Sequence, residues 1–160
     1  MQAVSNTSPI NYLIQIDQVE LIRKLYGQLA IPNSVLRELQ HPKSPTAVKN
    51  WATQVPDWVE IRTPARELDT RVAQLGAGEV SAILLAEEIG ADVLIVDERG
   101  GFFEAHKRGL RVTGTLGVLD KASALGLVKF AEAVTLLVST TNFRIRPEVV
   151  EMLLNSRGLR

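Results

Sequence analysis

Between Gly78 and Gly90 the apolar residues do not form a stripe: Val80, Ala82, Ile83, Leu84, Leu85, Ala86 and Ile89 cover most of a helical circumference. That distribution predicts a helix buried on most sides, with Gly90 where a left-handed C-terminal residue belongs. Val93 to Val96 is then a continuous β-branched and aliphatic run, closed by Asp97, Glu98, Arg99 and Gly100. A run of that kind predicts a strand covered on both faces, as strands of a parallel sheet are. About eleven helical residues at ~1.5 Å and about five strand residues at ~3.3 Å both span roughly 16 Å. Glu79, at the helix start, and Asp97-Glu98, at the strand end, therefore return to one edge of the sheet. Open α/β folds bind their ligands there, beyond the carboxyl ends of parallel strands.

The same patterns elsewhere predict strands over Ala3 to Ser5, Gln28 to Ile31, Trp58 to Ile61 at the sheet edge, and Leu110 to Thr113. Helices are expected from about Pro9 to Gln15, with Ser8 as cap and Pro9 as first residue, and from Val19 to Tyr26, stopped by Gly27. Further helices are expected from Pro32 to Gln40, Thr46 to Thr53, Ala65 to Leu75 and Phe102 to Arg108. Beyond Gly114-Thr115-Leu116-Gly117 a helix runs to about Leu125, followed by two near Lys129 to Ser139 and Pro147 to Asn155. His41-Pro42-Lys43-Ser44-Pro45 is a loop. Strands alternating with helices predict the α/β class, a three-layer α/β/α sandwich around a mostly parallel central sheet. No repeat, low-complexity tract or linker divides the chain, so residues 1–160 are expected to form one domain.

Composition narrows the chemistry. The absence of cysteine excludes disulfides and thiolate metal sites and suits a reducing compartment. No run of eighteen apolar residues and no leader-like start is present, which leads us to expect a cytoplasmic protein with no membrane partner. The formal net charge is +0, an argument against a broad phosphate-binding surface, but the halves differ. Residues 1–98 hold 8 Lys+Arg against 13 Asp+Glu, and residues 99–160 hold 10 against 5. An acidic cluster beside a basic flank suits a metal site acting on a polyanion; an incidental partition of charge gives the same count.

Glu79, Asp97 and Glu98 are the first candidates, as carboxylates brought to one edge. Taken singly each has a structural role open to it: a favourable charge at a helix start for Glu79, worth ~0.3–1 kcal/mol, an N-cap for Asp97, and solvation for Glu98. Asn6-Thr7-Ser8 also follows a strand and lands on that edge, with helix capping as its structural alternative. Glu38 lies about a turn and a half into its helix and reaches the cluster only if that helix leans across the groove. Gly76-Ala77-Gly78 lacks the third glycine and preceding strand of a dinucleotide fingerprint, and no Walker sequence is present. His41 and His106 have no second ligand at metal-binding spacing, and Thr115 is expected to cap its helix.

Val4-Ser5-Asn6-Thr7-Ser8-Pro9, Ile31-Pro32 leading to Arg37-Glu38-Leu39, Gly78-Glu79, Asp97-Glu98-Arg99-Gly100 and Gly114-Thr115-Leu116-Gly117-Val118-Leu119 occur in an order that resembles the PIN-domain family. The likeness is to its stand-alone prokaryotic branch, related to VapC-type toxin ribonucleases, and it covers nearly the whole chain. It implies a ribonuclease hydrolysing RNA phosphodiesters with Mg²⁺ or Mn²⁺ on clustered acids, at positions held here by Asn6, Glu38, Glu79 and Asp97-Glu98. It also implies a small antitoxin protein as partner, and a homodimer. Two departures stand out: Asn6 where relatives carry aspartate, and Gly101-Phe102-Phe103 where they carry an arginine-containing pattern.

These residues lead to the expectation that Glu38, Glu79 and Asp97 or Glu98 hold the metal, with Asn6 as a neutral ligand or a hook for water. Neighbours at a strand end point in opposite directions, so Asp97 and Glu98 are not separable at this level. Arg99, Lys107 and Arg108 are the nearest basic candidates for an RNA backbone. Two alternatives go with this reading: a degenerate domain that binds RNA or a protein partner without cleavage, and a phosphate-transfer domain. The second is disfavoured because the first strand ends in Asn6 and no Asp-x-Asp-x-Thr sequence is present.

Overall fold

The computed structural model describes residues 1–66, 74–145 and 147–156. Its elements are β1 (Gln2–Ser5), α1 (Thr7–Gln15), α2 (Glu20–Tyr26), β2 (Gln28–Ile31), α3 (Asn33–Leu39), α4 (Thr46–Thr53) and β3 (Val59–Ile61). Then follow α5 (Ala77–Ile89), β4 (Val93–Ile95), α6 (Arg99–Lys107), β5 (Val112–Thr113), α7 (Thr115–Ala124), α8 (Phe130–Thr140) and α9 (Pro147–Ser156). The helix expected from Ala65 to Leu75 falls mainly on 67–73, outside the described residues; residues 65–66 and 74–75 beside it are bends and turns.

All five strands are parallel, in the order β3-β2-β1-β4-β5. The chain builds outward from β1 through β2 to β3, then crosses back to lay β4 on the other side of β1. Its direction of growth therefore reverses between β1 and β4, and the crevice of a doubly wound sheet opens at the carboxyl ends of those two strands. Asn6 and Asp97-Glu98 follow those ends directly. The Asn6 amide donates to the Ile95 carbonyl at 3.0 Å, tying the two exits together.

Strand alternation explains the three layers. Ala3, Leu29, Ile31, Val93 and Ile95 face a core with α1, α2, α4, α7 and α8, whereas Val4, Ala30, Leu94 and Val96 face α5 and α6. Because both faces are covered, consecutive strand positions are apolar. Helix α5 buries seven of its residues and ends at Gly90 with φ 62°, a backbone that a side chain would strain. Among the described residues no helix is long and apolar enough to cross a membrane.

Two expected caps are corrected. Helix α1 begins at Thr7, ahead of Pro9, so Ser8 lies inside its first turn and caps nothing; its hydroxyl goes to a carboxylate instead. Gly114 is the N-cap of α7, and Thr115 is its first helical residue, fully buried. In both cases a carboxylate of the 97–98 pair competes for the hydroxyl, and a charge-assisted bond is stronger than a neutral cap.

Candidate active site at the carboxyl edge of the sheet

Asn6 is 3% exposed and extended, held at the end of β1. Its Nδ2 donates to Glu98 Oε2 at 3.1 Å. A carboxylate only accepts, so the amide hydrogens must face Glu98 and Oδ1 must face the other way. That oxygen is buried and has no hydrogen-bond partner. A buried acceptor left without a donor costs about 1–3 kcal/mol, and an amide oxygen of this kind can accept from a donor or ligate a hard cation.

Glu38 points at the same spot. Helix α3 does lean across the edge: Thr7 Oγ1 donates to Glu38 Oε2 at 2.6 Å, bringing a residue of helix α3 to the start of α1. Gly78, buried in the first turn of α5, makes room. A β-carbon there would lie 2.7 Å from Glu38 Oε1 and 3.1 Å from Asn6 Oδ1. The two oxygens thus converge on a cradle that exists because residue 78 has no side chain.

Glu79, next along α5, reaches back to the Gly76 N–H at 3.2 Å, closing its own helix start as a first-turn glutamate can. Its other oxygen approaches α6, where a β-carbon on Gly101 would lie 2.7 Å from Oε2. Gly101, the first residue of the Gly101-Phe102-Phe103 departure, therefore admits this carboxylate. Burial raises the Glu79 pKa above the ordinary carboxylate range; bonds from Gly76 and Gly101 oppose this, and the charges of Glu98 and Glu38 reinforce it.

The neighbours Asp97 and Glu98 separate by role. Glu98 accepts from Asn6 and, through Oε1, from the Ser8 hydroxyl at 2.7 Å, so it belongs with Asn6 and the cradle. Asp97 accepts from the backbone N–H and the hydroxyl of Thr115, both at 2.7 Å, and anchors the start of α7. Burial raises the Asp97 pKa, the Thr115 bonds lower it, and the nearby Glu98 charge raises it again.

Glu38, Glu79 and Glu98 thus come to one edge with Asn6, while Asp97 turns aside. None of the ion pairs among the described residues involves any of these acids. Nor, among the described residues, do three Asp, Glu or His side chains already stand in a metal-holding arrangement; amides and hydroxyls engage them instead. The fit to a hard cation rests on the oxygen-only donor set and on the orphaned Asn6 oxygen.

Two clefts flank this edge on the two sides of α1. One, about 470 Å³, has Ser8 and Tyr12 on its wall, and the other, about 580 Å³, has Thr7 and Asn11. Asn142 borders both, so the stretch after α8 forms a shared outer rim. Of the expected basic residues, Arg108 is spent at the far end of α6, bonded to Glu104 and Glu87 at 2.8 Å each. Lys107 lies at that same far end, and Arg99 is at the near end with its guanidinium 5.9 Å from the Phe103 ring centre. Among the described residues, Arg144 lines the first cleft and Lys43 the second. Sequence reading missed both, although Tyr12 could have been found: it lies one helical turn beyond Ser8 on the same face of α1.

A doubly wound parallel sheet with oxygen donors near its switch point defines an α/β domain whose ligand crevice lies at the carboxyl edge. The chain matches the family described as DUF3368, a PIN domain, over residues 2–158, and it belongs to the PIN-domain family. Members of that family are generally nucleases, usually use divalent metals and are associated with RNA. Among solved structures it is similar to a PilT N-terminus domain protein from the hyperthermophilic archaeon Sulfolobus solfataricus P2, at 16% identity and a TM-score of 0.53. That likeness covers 91% of this chain and 98% of the other, and it is a likeness of fold. No curated protein matches the chain.

Proposed function

We propose that the protein is a metal-dependent endoribonuclease and the toxin of a toxin-antitoxin pair, with a small antitoxin protein as partner and a homodimer as its assembly. One observation carries the enzymatic reading: the unpartnered, buried Asn6 Oδ1 converges with Glu38 Oε1 on the space left by Gly78. Glu38, Glu79, Glu98 and Asn6 would hold Mg²⁺ or Mn²⁺, both of which favour oxygen donors. A divalent ion held there supplies charge neutralisation at the scissile phosphate and acidifies water. The chain's own part is positioning. Thr7 orients Glu38, Ser8 and the Asn6 amide orient Glu98, and Gly76 and Gly101 orient Glu79. Asp97 contributes by docking α7 against the edge, which leaves Glu98 as the ligand of the adjacent pair. The toxin assignment rests on motif order, from Asn6-Thr7-Ser8 to Gly114-Thr115-Leu116-Gly117.

A second reading is favoured by one residue. Asn6 brings no charge and spends its amide on Glu98, which suits a degenerate domain that binds RNA or a protein partner without cutting it. Incubating the pure protein with mixed RNAs separates the two. Cleavage with Mn²⁺ that EDTA abolishes supports the nuclease, and absence of metal-dependent cleavage of any RNA supports the binding domain.

A further inference from the structure

We propose that the cleft of about 470 Å³ beside the acids is a nucleobase subsite, holding one base of the bound strand against aromatic walls while its phosphate stays at the carboxylate edge. This rests on the reading above for the identity of the strand as RNA. The volume lies within the roughly 300–1,000 Å³ of small-ligand sites, enough for one nucleoside. Tyr12, Phe102 and Phe143 all line it, a concentration of rings in a chain that is only 5% aromatic. Phe102 is 40% exposed and lines the cleft, so an aromatic surface is left in contact with solvent there. Tyr12 and Phe143 brace each other edge to face, with centroids 5.0 Å apart and planes at 89°. That pairing fixes a rigid wall.

Charge selects which part of a nucleotide enters. Asp97 and Glu98 lie in the cleft lining, so a phosphate is repelled and a neutral base is not. Arg144, also lining the cleft, is suited to stack on a base or to meet the phosphate at the mouth. Ser8 and Asn142 bring a hydroxyl and an amide to the wall, groups that pair with base edges. Continuity with the acids is direct, because Ser8 and Glu98 belong to both sites. Two residues of the Gly101-Phe102-Phe103 departure then have separate uses: Gly101 admits Glu79, and Phe102 supplies a stacking surface.

The test reads binding apart from cleavage. Fluorescein-labelled nine-nucleotide RNA homopolymers of each of the four bases, and an abasic ribose-phosphate nonamer, are titrated at low salt in EDTA by anisotropy. At least one homopolymer should bind about 10-fold more tightly than the abasic strand, the size of one base stacking on a ring. Phe102→Ala should remove that preference while leaving the abasic affinity unchanged, and Phe102→Trp should restore it. Phe103→Ala, whose side chain is 62% exposed and outside the cleft, should behave as wild type. Equal binding of all strands, or equal effects of Phe102→Ala and Phe103→Ala, would overturn the subsite. Mn²⁺-dependent cleavage by the wild type is scored separately: cleavage without base preference sinks the subsite and keeps the nuclease. Base preference without cleavage does the reverse.

Discussion

Helices α5 and α6 carry glutamates at both ends, and the two ends keep different company. At the far end Glu87 and Glu104 meet Arg108 at 2.8 Å, and Glu87 also meets Arg66 at 2.5 Å. At the near end Glu79, together with Glu38 and Glu98, meets amides and hydroxyls and, among the described residues, no basic side chain. Two carboxylates ~5 Å apart at an effective dielectric of ~20 repel by about 3 kcal/mol. Guanidinium charge offsets that repulsion at one end and nothing in the described residues offsets it at the other. The same helix pair is therefore electrostatically closed at one end and open at the other. On the proposed reading, this open acidic end with its unpartnered Asn6 oxygen would receive an external cation.

The sharpest way to break this contrast is to neutralise each end in turn. Glu38→Gln or Glu98→Gln should lower Mn²⁺-dependent cleavage by roughly 10²–10³-fold, the size attached to one stabiliser of transition-state charge, with little change in Tm without metal. Arg108→Met should do the opposite, lowering stability by about 1–3 kcal/mol in urea unfolding while leaving cleavage per folded molecule intact. Normal cleavage by Glu38→Gln would end the contrast. Next in size is the metal itself. At a hundred times its dissociation constant, Mn²⁺ should stabilise the wild type by about 2.7 kcal/mol, raising Tm by roughly 5–10 °C in thermal unfolding. Gly78→Ala should lose most of that gain, since the added methyl meets Glu38 Oε1 and Asn6 Oδ1, while its metal-free Tm stays level or rises because alanine favours the helix.

Asn6→Asp sharpens the comparison more finely. It replaces an amide donor to Glu98 with a second carboxylate, so Tm in EDTA should fall. Calorimetry should show Mn²⁺ binding about tenfold more tightly, roughly 1.4 kcal/mol. Equal affinity in the two proteins would put Asn6 outside the metal site. The smallest effect is pH dependence. Glu79 and Asp97 have folded pKa values raised above their unfolded values, so the folded chain binds more protons in between and stability falls as pH rises through that interval. Above the folded values the loss is complete. Thermal scans in EDTA should therefore show Tm declining as pH rises from the ordinary carboxylate range, and Glu79→Gln should flatten part of the slope; an unchanged slope would remove Glu79 from the account.

Legibility in the sequence followed the range of the forces involved. The burial of α5, the stop at Gly90 and the both-faces-covered strand Val93–Ile95 were readable because periodicity and glycine act within a few residues. Ser8 and Thr115 were misread as caps for the complementary reason. Locally a hydroxyl at a helix start caps it, but in the fold Glu98 and Asp97, from 90 and 18 residues away, are stronger acceptors. Tyr12, Phe143 and Arg144 share a cleft across more than a hundred residues of chain, a meeting that no local pattern carries.

Alternation and spacing alone determined that Glu79 and Asp97-Glu98 return to one edge, since helix and strand lengths are set by backbone geometry. Whether Glu38 joins them, which of Asp97 and Glu98 faces Asn6, and that Gly78 leaves the space between were decided only by packing. Those outcomes depend on the lean of α3 and the docking of α7, and a helix's tilt is set by the side chains it packs against rather than by its own sequence.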